Sequence, residues 1–559
     1  MKVRFSPGGD LGHRLHRNFD RLESEQYAPR AADSERRGLF QDRDYEWPAD
    51  TEGRGLLAWV LLERATGRSA LHLPTALALF DEFANSAGYF GALAKPSLHD
   101  EQQLAGHGWL LRALCEIYAD GGDPSIRARI ETIVRELALP TAGAHAEYPI
   151  DPAARNRAVG GVIGEAAEVV GSWWVSTDIG CDFIFLDGLA HAATLLNLPA
   201  LHELVEEVIA RFLQVDLLAI EAQTHATLTG VRALLRWHHY TGRPDLLLEA
   251  IRRFGIYKTV GMSENSGNWN WFGRPTHTEP CAVVDSFMIA CQLWELTDDA
   301  LWLSDAHEIY YNGLGHAQRF NGGFGCDTVL GATDPHPAVL TVALDEAWWC
   351  CTMRGAEGLA TANDFSARLR QGELAFPFFF SGLLDVDTTA GQQVWRCESA
   401  YPQEGRMSLT YESGPDEAVT LAFWAPAWAD GATVKVRGEL IDVTPDHDDF
   451  IRCTLIPGQG DTVEYEFGLA PRWAAPRNES TLPCSRRLMR GPIMFGAESA
   501  QGARLDVVPG SPLRWDAKSR SVIDLNSMTT LSPLTDMIDR SSYIDYARQA
   551  LFSAPPLAV

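Results

Sequence analysis

Two short stretches carry residues that could do chemistry together. In THTEPCAVVD (276–285), Pro280 suits the first position of a helix. That sets Glu279 at the N-cap and Cys281 in the first turn, where the helix dipole favours a thiolate. Inside a helix a spacing of two would separate the pair, but at a helix start both can turn toward one point. In EAWWCCTMRGAEGLA (346–360), Cys350 and Cys351 are adjacent. A vicinal pair packs poorly, because one of the two usually has to face away, and a disulfide between them closes a strained ring. As metal ligands the pair makes sense, since a loop can present both sulfurs to one ion. Glu279, Cys281, Cys350 and Cys351 together form a four-ligand tetrahedral set of the zinc type, so Zn2+ is the expected cofactor. The competing reading is four unrelated residues, three of them buried.

The elements that must position these residues change character once along the chain. From about 50 to 320 the pattern is helical, in pairs joined by tight turns. Residues 53–67 form one amphipathic stretch, and 105–137, 183–213, 227–254 and 280–314 each read as helix, turn, helix, with Gly-Asp-Pro, Asn-Leu-Pro, Gly-Arg-Pro and Thr-Asp-Asp at the bends. Such hairpins cannot bury their own apolar faces and must stack. Their spacing is uneven, and long loops intervene at 141–175 and 255–279. A closed (α/α)6 toroid tolerates such loops on one face and gathers them over a central pocket. After about residue 370, segments 405–414, 418–426, 432–444, 449–458 and 461–469 alternate apolar and polar residues between Gly, Pro and Asp turns, which predicts an antiparallel β-sandwich. Residues 486–498 read as one more strand pair. The expected architecture is therefore a multidomain α and β chain: a toroid over 1–370, a sandwich over 371–500, and a tail over 501–559 to which the pattern assigns nothing.

The chain resembles glycoside hydrolase family 127, the β-L-arabinofuranosidase family. The resemblance is carried by Glu279-Pro280-Cys281 followed by Cys350-Cys351, with weaker matches at Gly106-His107, Val231-Arg232-Ala233, Tyr311-Asn312-Gly313 and Arg490-Gly491-Pro492. It spans most of the chain, from about 40 to 500. It implies a zinc-dependent retaining exo-glycosidase in which Cys350 is the nucleophile and Glu264, in the loop GMSENSGNWNWFG (261–273), is the acid/base. In a retaining enzyme these two groups stand about 5–5.5 Å apart across the sugar. It also implies a sugar-contacting His107. The family carries a histidine two residues before Val-Arg-Ala, where this chain has Thr229, with His225 one turn earlier. It carries a glutamate where this chain has His307, with Glu308 beside it. The metal and nucleophile set is thus retained while the sugar-binding shell is altered.

Other shell candidates come from the residues themselves. Asp187 and His191 lie one turn apart on a helix and suit either a pocket or the core. Trp269, Trp271 and Phe272 can stack on a sugar face or cap the core. The expected substrate is a furanoside such as a β-L-arabinofuranoside, or a related glycoside.

Composition bounds the rest. The formal net charge is −27, which repels phosphate backbones and argues against nucleic acid as a partner. No run of about 18 apolar residues appears, so no membrane span is expected. The start MKVRFSPGGDLGHRLHRNFDRL has no apolar segment of the signal type, which points to the cytoplasm. Ten cysteines in so large a chain are not a disulfide framework, and most should be small buried hydrophobes. The expected partner is a small glycan or glycoside, and a homodimer is compatible with the sequence. Two alternatives stay open: a non-catalytic carbohydrate-binding protein with a structural zinc, and a sugar epimerase or lyase on the same toroid, using a base such as His107, His191, His225 or His277.

Overall fold

The computed structural model describes residues 2–30, 39–41, 46–155, 166–176, 178–330, 339–477, 485–498 and 507–553. Its helices are α1 (Gly9–Leu22), α2 (Asp50–Thr66), α3 (Leu73–Phe83), α4 (Glu101–Gly121), α5 (Pro124–Ile133), α6 (Asp182–Leu196), α7 (Pro199–Leu213), α8 (Thr224–Thr241), α9 (Pro244–Val260), α10 (Pro280–Thr297), α11 (Leu301–Glu308), a single turn α12 (Gly315–Ala317) and α13 (Cys351–Asp364). Six of them, α2, α4, α6, α8, α10 and α13, pack each on the next, and α13 returns to α2 to close a ring. The toroid read from the hairpins is therefore present. Its sixth pair joins the two ends of the helical region, because α1 lies against α13.

Burial explains the sorting into inner and outer helices. The first fifteen residues of α4, Glu101 to Cys115, are all buried, as a helix enclosed on every side requires. The outer α7 buries one stripe only, Leu201, Leu204, Val205, Val208, Ile209 and Phe212. The inner helices α2, α4, α6, α8 and α10 each end on a left-handed residue: Gly67, Gly122, Asn197, Gly242 and Asp298. Pro124, Pro199 and Pro244 then open the return helices. The ring is tight. A Cβ on Gly188 of α6 would lie 2.1 Å from the Gly108 carbonyl oxygen of α4, so only glycine permits that approach. An outer helical segment separates each inner helix from the next (α11 continuing into α12 before α13), so all six inner helices run in the same direction. Their N-terminal ends, and the long loops that precede them, therefore gather at one end of the ring.

The sandwich has a seven-stranded antiparallel sheet facing a four-stranded one. Their side chains interdigitate: Phe423 of the smaller sheet stacks on Tyr465 of the larger, with ring centroids 5.0 Å apart. Two features depart from the expected plan. The strand Val3–Pro7 pairs with Gly382–Thr388, so the sandwich begins at the N-terminus as well as after residue 370. Also, Val419–Trp424 runs parallel to Glu373–Phe376, because the segment between them crosses to the other sheet before returning.

The tail also has a place. Strands from 513 to 553 join Ser485–Arg490 and Ile493–Glu498 in a third sheet, which extends to Val339–Val342 and Asp327–Leu330. Behind it, Leu340, Met489, Met494, Leu534, Met537, Tyr546, Ala550 and Leu551 bury together with Trp269 of the loop before α10. The C-terminal segment thus braces the loop before α10. Among the described residues no helix is long and apolar enough to cross a membrane. The nine described cysteines are buried and unbridged, and Cys484 lies outside the described residues.

Candidate metal centre and active site

Two inner helices start at one point. Glu279 is the N-cap of α10 and Cys281 lies in its first turn, while Cys350 is the N-cap of α13 and Cys351 its first residue. The positive ends of both helix dipoles thus face the same cluster of acidic groups. One ligand atom from each of Glu279, Cys281, Cys350 and Cys351 lies within 4.8 Å of all the others. The Cys350 and Cys351 sulfurs are 3.3 Å apart and those of Cys281 and Cys351 are 3.6 Å apart. Zinc–sulfur bonds at tetrahedral angles would set sulfurs about 3.8 Å apart, so a few tenths of an ångström of adjustment suffice.

The supports of this cluster come from several parts of the chain. The Glu279 backbone N–H donates to Asn268 Oδ1 at 2.8 Å, and Gln223 Nε2 donates to its carboxylate at 3.3 Å. The loop leading to Cys350 is anchored by Glu346, which accepts from Arg21 (2.7 Å), Tyr27 (2.7 Å), Thr352 (2.9 Å) and Asn321 (3.0 Å).

The electrostatics fit a cation. Burial, and then the neighbouring Asp178, push the Glu279 carboxyl up to about 8. Burial raises the Cys281 and Cys351 thiols, and the hydrogen bond with Cys281 raises Cys350. Four acids packed this closely resist ionising together unless a positive ion sits among them. Three thiolates and a carboxylate in a closed polyhedron match zinc or a similar thiophilic dication. Among the three sulfurs, access is unequal: Cys350 is 8% exposed, whereas Cys281 and Cys351 are fully buried.

Comparisons with known proteins follow the same line. Residues 374–469, within the sandwich, match the model of the GH127 β-L-arabinofuranosidase middle domain. Over 99% of its length the chain is similar in structure to a glycoside hydrolase (TM-score 0.69, 13% identity, 96% of that chain). It is similar over the same share to a GH127 β-L-arabinofuranosidase from Geobacillus stearothermophilus T6 (TM-score 0.68, 14% identity, 100% of that chain). A GH127 β-arabinofuranosidase gives a TM-score of 0.66 at 13% identity, over 99% of this chain and 96% of that one. No curated protein sequence matches the chain. The family model thus matches part of the sandwich, and the likeness to these structures, at 13–14% identity, shows a shared fold along the chain. That family and these neighbours are glycoside hydrolases.

The other predicted residues separate clearly. His107 is fully buried, and both ring nitrogens are engaged, one accepting from the Phe90 N–H at 3.1 Å and the other donating to the Gln103 carbonyl at 2.7 Å. It holds the loop before α4 and has no nitrogen left for a sugar. Asp187 is enclosed by Arg236 (3.0 Å), Arg112 (3.2 Å) and Arg232 (3.4 Å). Burial opposes its charge, but the three arginines outweigh burial and keep the carboxyl well below the usual range. His191 meets Arg112 at 3.1 Å. Asp187 is thus committed to a cluster of arginines, and the half-buried His191 lies at its edge. His225 differs: its Nδ1 meets Asp285 at 2.9 Å and its ring stacks on Trp109, while its Nε2 has no partner among the described residues.

The altered shell positions also find explanations. His307 bonds Tyr401 at 3.0 Å and the Pro377 carbonyl at 2.9 Å, stacking on Phe378, so it serves the joint between ring and sandwich. Glu308 pairs with Arg477 (2.7 Å) and Arg487 (2.9 Å). Arg477 also donates its backbone N–H to Glu264 at 2.9 Å, so Glu264 is held in the same network. Trp269 packs on the C-terminal cluster, and the buried Trp271 packs edge-on against His277, its indole N–H unpartnered. The Tyr311-Asn312-Gly313 and Arg490-Gly491-Pro492 motifs meet: Asn312 donates to the Pro492 carbonyl at 2.8 Å and accepts from the Met494 N–H at 2.7 Å. Sequence reasoning missed Arg54, Asp50 and Gln223. Gln223, just before α8 at the open end, gave no signal beyond its position.

Proposed function

We propose that this chain is a zinc-dependent retaining exo-glycosidase that uses Cys350 as nucleophile and acts on a furanoside such as a β-L-arabinofuranoside or a related glycoside. The observation that carries the reading is the meeting of Glu279, Cys281, Cys350 and Cys351 at one point, with Cys350 the most accessible sulfur. Zinc bound by these four residues would supply the positive charge that keeps the Cys350 sulfur a thiolate near neutral pH. In the first step the Cys350 sulfur bonds to the anomeric carbon. The glycosidic oxygen leaves with a proton from Glu264. In the second step Glu264 takes a proton from water, the water oxygen bonds to the same carbon, and the sulfur leaves. Two inversions give net retention. The long loops over one end of a closed ring suit a terminal sugar, hence exo-action.

One preparation tests this. Metal analysis should return about one zinc per chain, as a single four-ligand site holds. On a panel of nitrophenyl pentofuranosides and pyranosides, Cys350→Ser and Glu264→Gln should each lose at least about 10²-fold in turnover. Mass spectrometry of trapped enzyme should find the sugar on Cys350. Undiminished turnover by Cys350→Ser would remove the nucleophile assignment, and a zinc-loaded protein inert toward the whole panel would favour a structural metal.

A further inference from the structure

With a dication in place, one carboxylate and three thiolates leave the centre formally at about −2. Arg54, on α2, stands against that excess. It is almost fully buried, and its Nε meets both oxygens of Asp50 at 2.9 Å, one helical turn away. Its Nη1 lies 3.6 Å from the Cys281 sulfur, and its guanidinium lies 4.5 Å over the Trp109 ring. A structural arginine is satisfied by a carboxylate and backbone carbonyls. Here one edge is fixed on Asp50 while the other reaches a metal-ligand sulfur. Arg354 lies 4.4 Å over the same indole, but its guanidinium is committed to Asp285 and Glu357.

Resting on the zinc–thiolate reading above, we propose that Arg54 is a positioning residue of the metal centre: held by Asp50, it donates an N–H···S hydrogen bond to Cys281 and offsets part of the negative charge of the donor set. The consequence is an asymmetry between sulfurs. Cys281 gives up electron density to the guanidinium, whereas Cys350 keeps its own and remains the sulfur able to bond to carbon. Outer partners of this kind fix ligand orientation and tune the metal. The guanidinium suits the task because it stays charged in a dry site.

The test reads the metal and not turnover alone. Zinc affinity is measured by chelator competition, and the sulfur-to-metal charge-transfer band is recorded on the Co2+-substituted protein, for wild type, Arg54→Met, Arg54→Lys and Asp50→Asn. Arg54→Met should lower zinc affinity about 10–100-fold, the usual cost of losing an outer partner, and move the band to lower energy. Arg54→Lys should recover part of both. Asp50→Asn keeps the side-chain volume while releasing the guanidinium, and should move both readouts in the same direction as Arg54→Met even if that variant folds poorly. Wild-type affinity and band position in Arg54→Met, or in folded Asp50→Asn, overturn the proposal. A wild type that binds no zinc overturns the metal reading beneath it instead, so the two failures are distinguishable.

Discussion

Removing the ion should expose the conflict that the fold builds into the centre, and Glu279→Gln isolates one part of it. In the metal-free protein, burial and Asp178 lift the Glu279 carboxyl from 4.5 to about 8. Its folded pKa is raised, so its contribution is intact below pH 4.5 and is lost as pH climbs through about 8. A difference of about 3.5 units corresponds to at most about 5 kcal/mol at pH 9. Partial solvent contact and screening bring the expected effect to about 2–3 kcal/mol. Glutamine keeps the shape and the Gln223 contact region but carries no charge. Chelated Glu279→Gln should therefore be more stable than chelated wild type at pH 9, and close to it at pH 5. With zinc bound the order should reverse, because the variant has lost an anionic ligand. Guanidinium melts at the two pH values, with and without chelator, give all four comparisons. Parallel pH dependence of the two chelated proteins would refute the reasoning, since the carboxylate would then feel no penalty from its surroundings.

Three further outcomes follow from packing and charge. Asp285→Leu should cost about 3–5 kcal/mol in a denaturant melt, because Arg232 (2.8 Å), Arg354 and His225 (2.9 Å) lose their common partner inside the ring. Leu551→Ala should cost about 2–5 kcal/mol and, by loosening the packing on Trp269, should also weaken zinc binding in a chelator titration. Gly188→Ala should destabilise by about 1–3 kcal/mol or more, read as a lowered melting temperature, because the added methyl meets the Gly108 carbonyl of the neighbouring inner helix.

The sequence made the ring, the sandwich and the four ligands legible for identifiable reasons. A proline one residue past Glu279 and a run of apolar residues behind Cys281 specify a helix start, and a helix start is where acidic side chains gather favourably. Each hairpin bend carries a left-handed cap, and at Pro124, Pro199 and Pro244 a proline follows it, so the helices announce their ends. What escaped was non-local. Arg54 is 227 residues from Cys281, and nothing in GRGLLAWVLL marks it as more than an arginine in a helix. His107 has the right type and place for a ligand contact, yet the Phe90 N–H and the Gln103 carbonyl occupy it. The tail escaped because its strands are four residues or fewer in length and pair with segments such as Val339–Val342, some two hundred positions earlier. A period-two pattern needs more residues than that to rise above chance.

The distribution of these departures separates two layers of the molecule. The metal ligands sit on inner helix starts of a ring closed by glycine contacts, where one added methyl already clashes. The side chains that would meet a sugar come from what surrounds that ring: the 261–279 loop, the segment before α8, and strands supplied by the C-terminal sheet. His307 illustrates the difference. Where the family that the chain resembles carries a glutamate, this chain spends the position on the ring–sandwich joint, and the neighbouring Glu308 ties Arg477 and Arg487 together beside Glu264. A substitution in the ring is expected to disturb the Glu279, Cys281, Cys350 and Cys351 cluster and the fold at once. Substrate preference is therefore expected to follow Trp271 and His277 of the 261–279 loop, whose side chains each keep a buried nitrogen without a partner among the described residues. Single replacements there should change KM among pentofuranosides and pyranosides while leaving zinc content as in wild type.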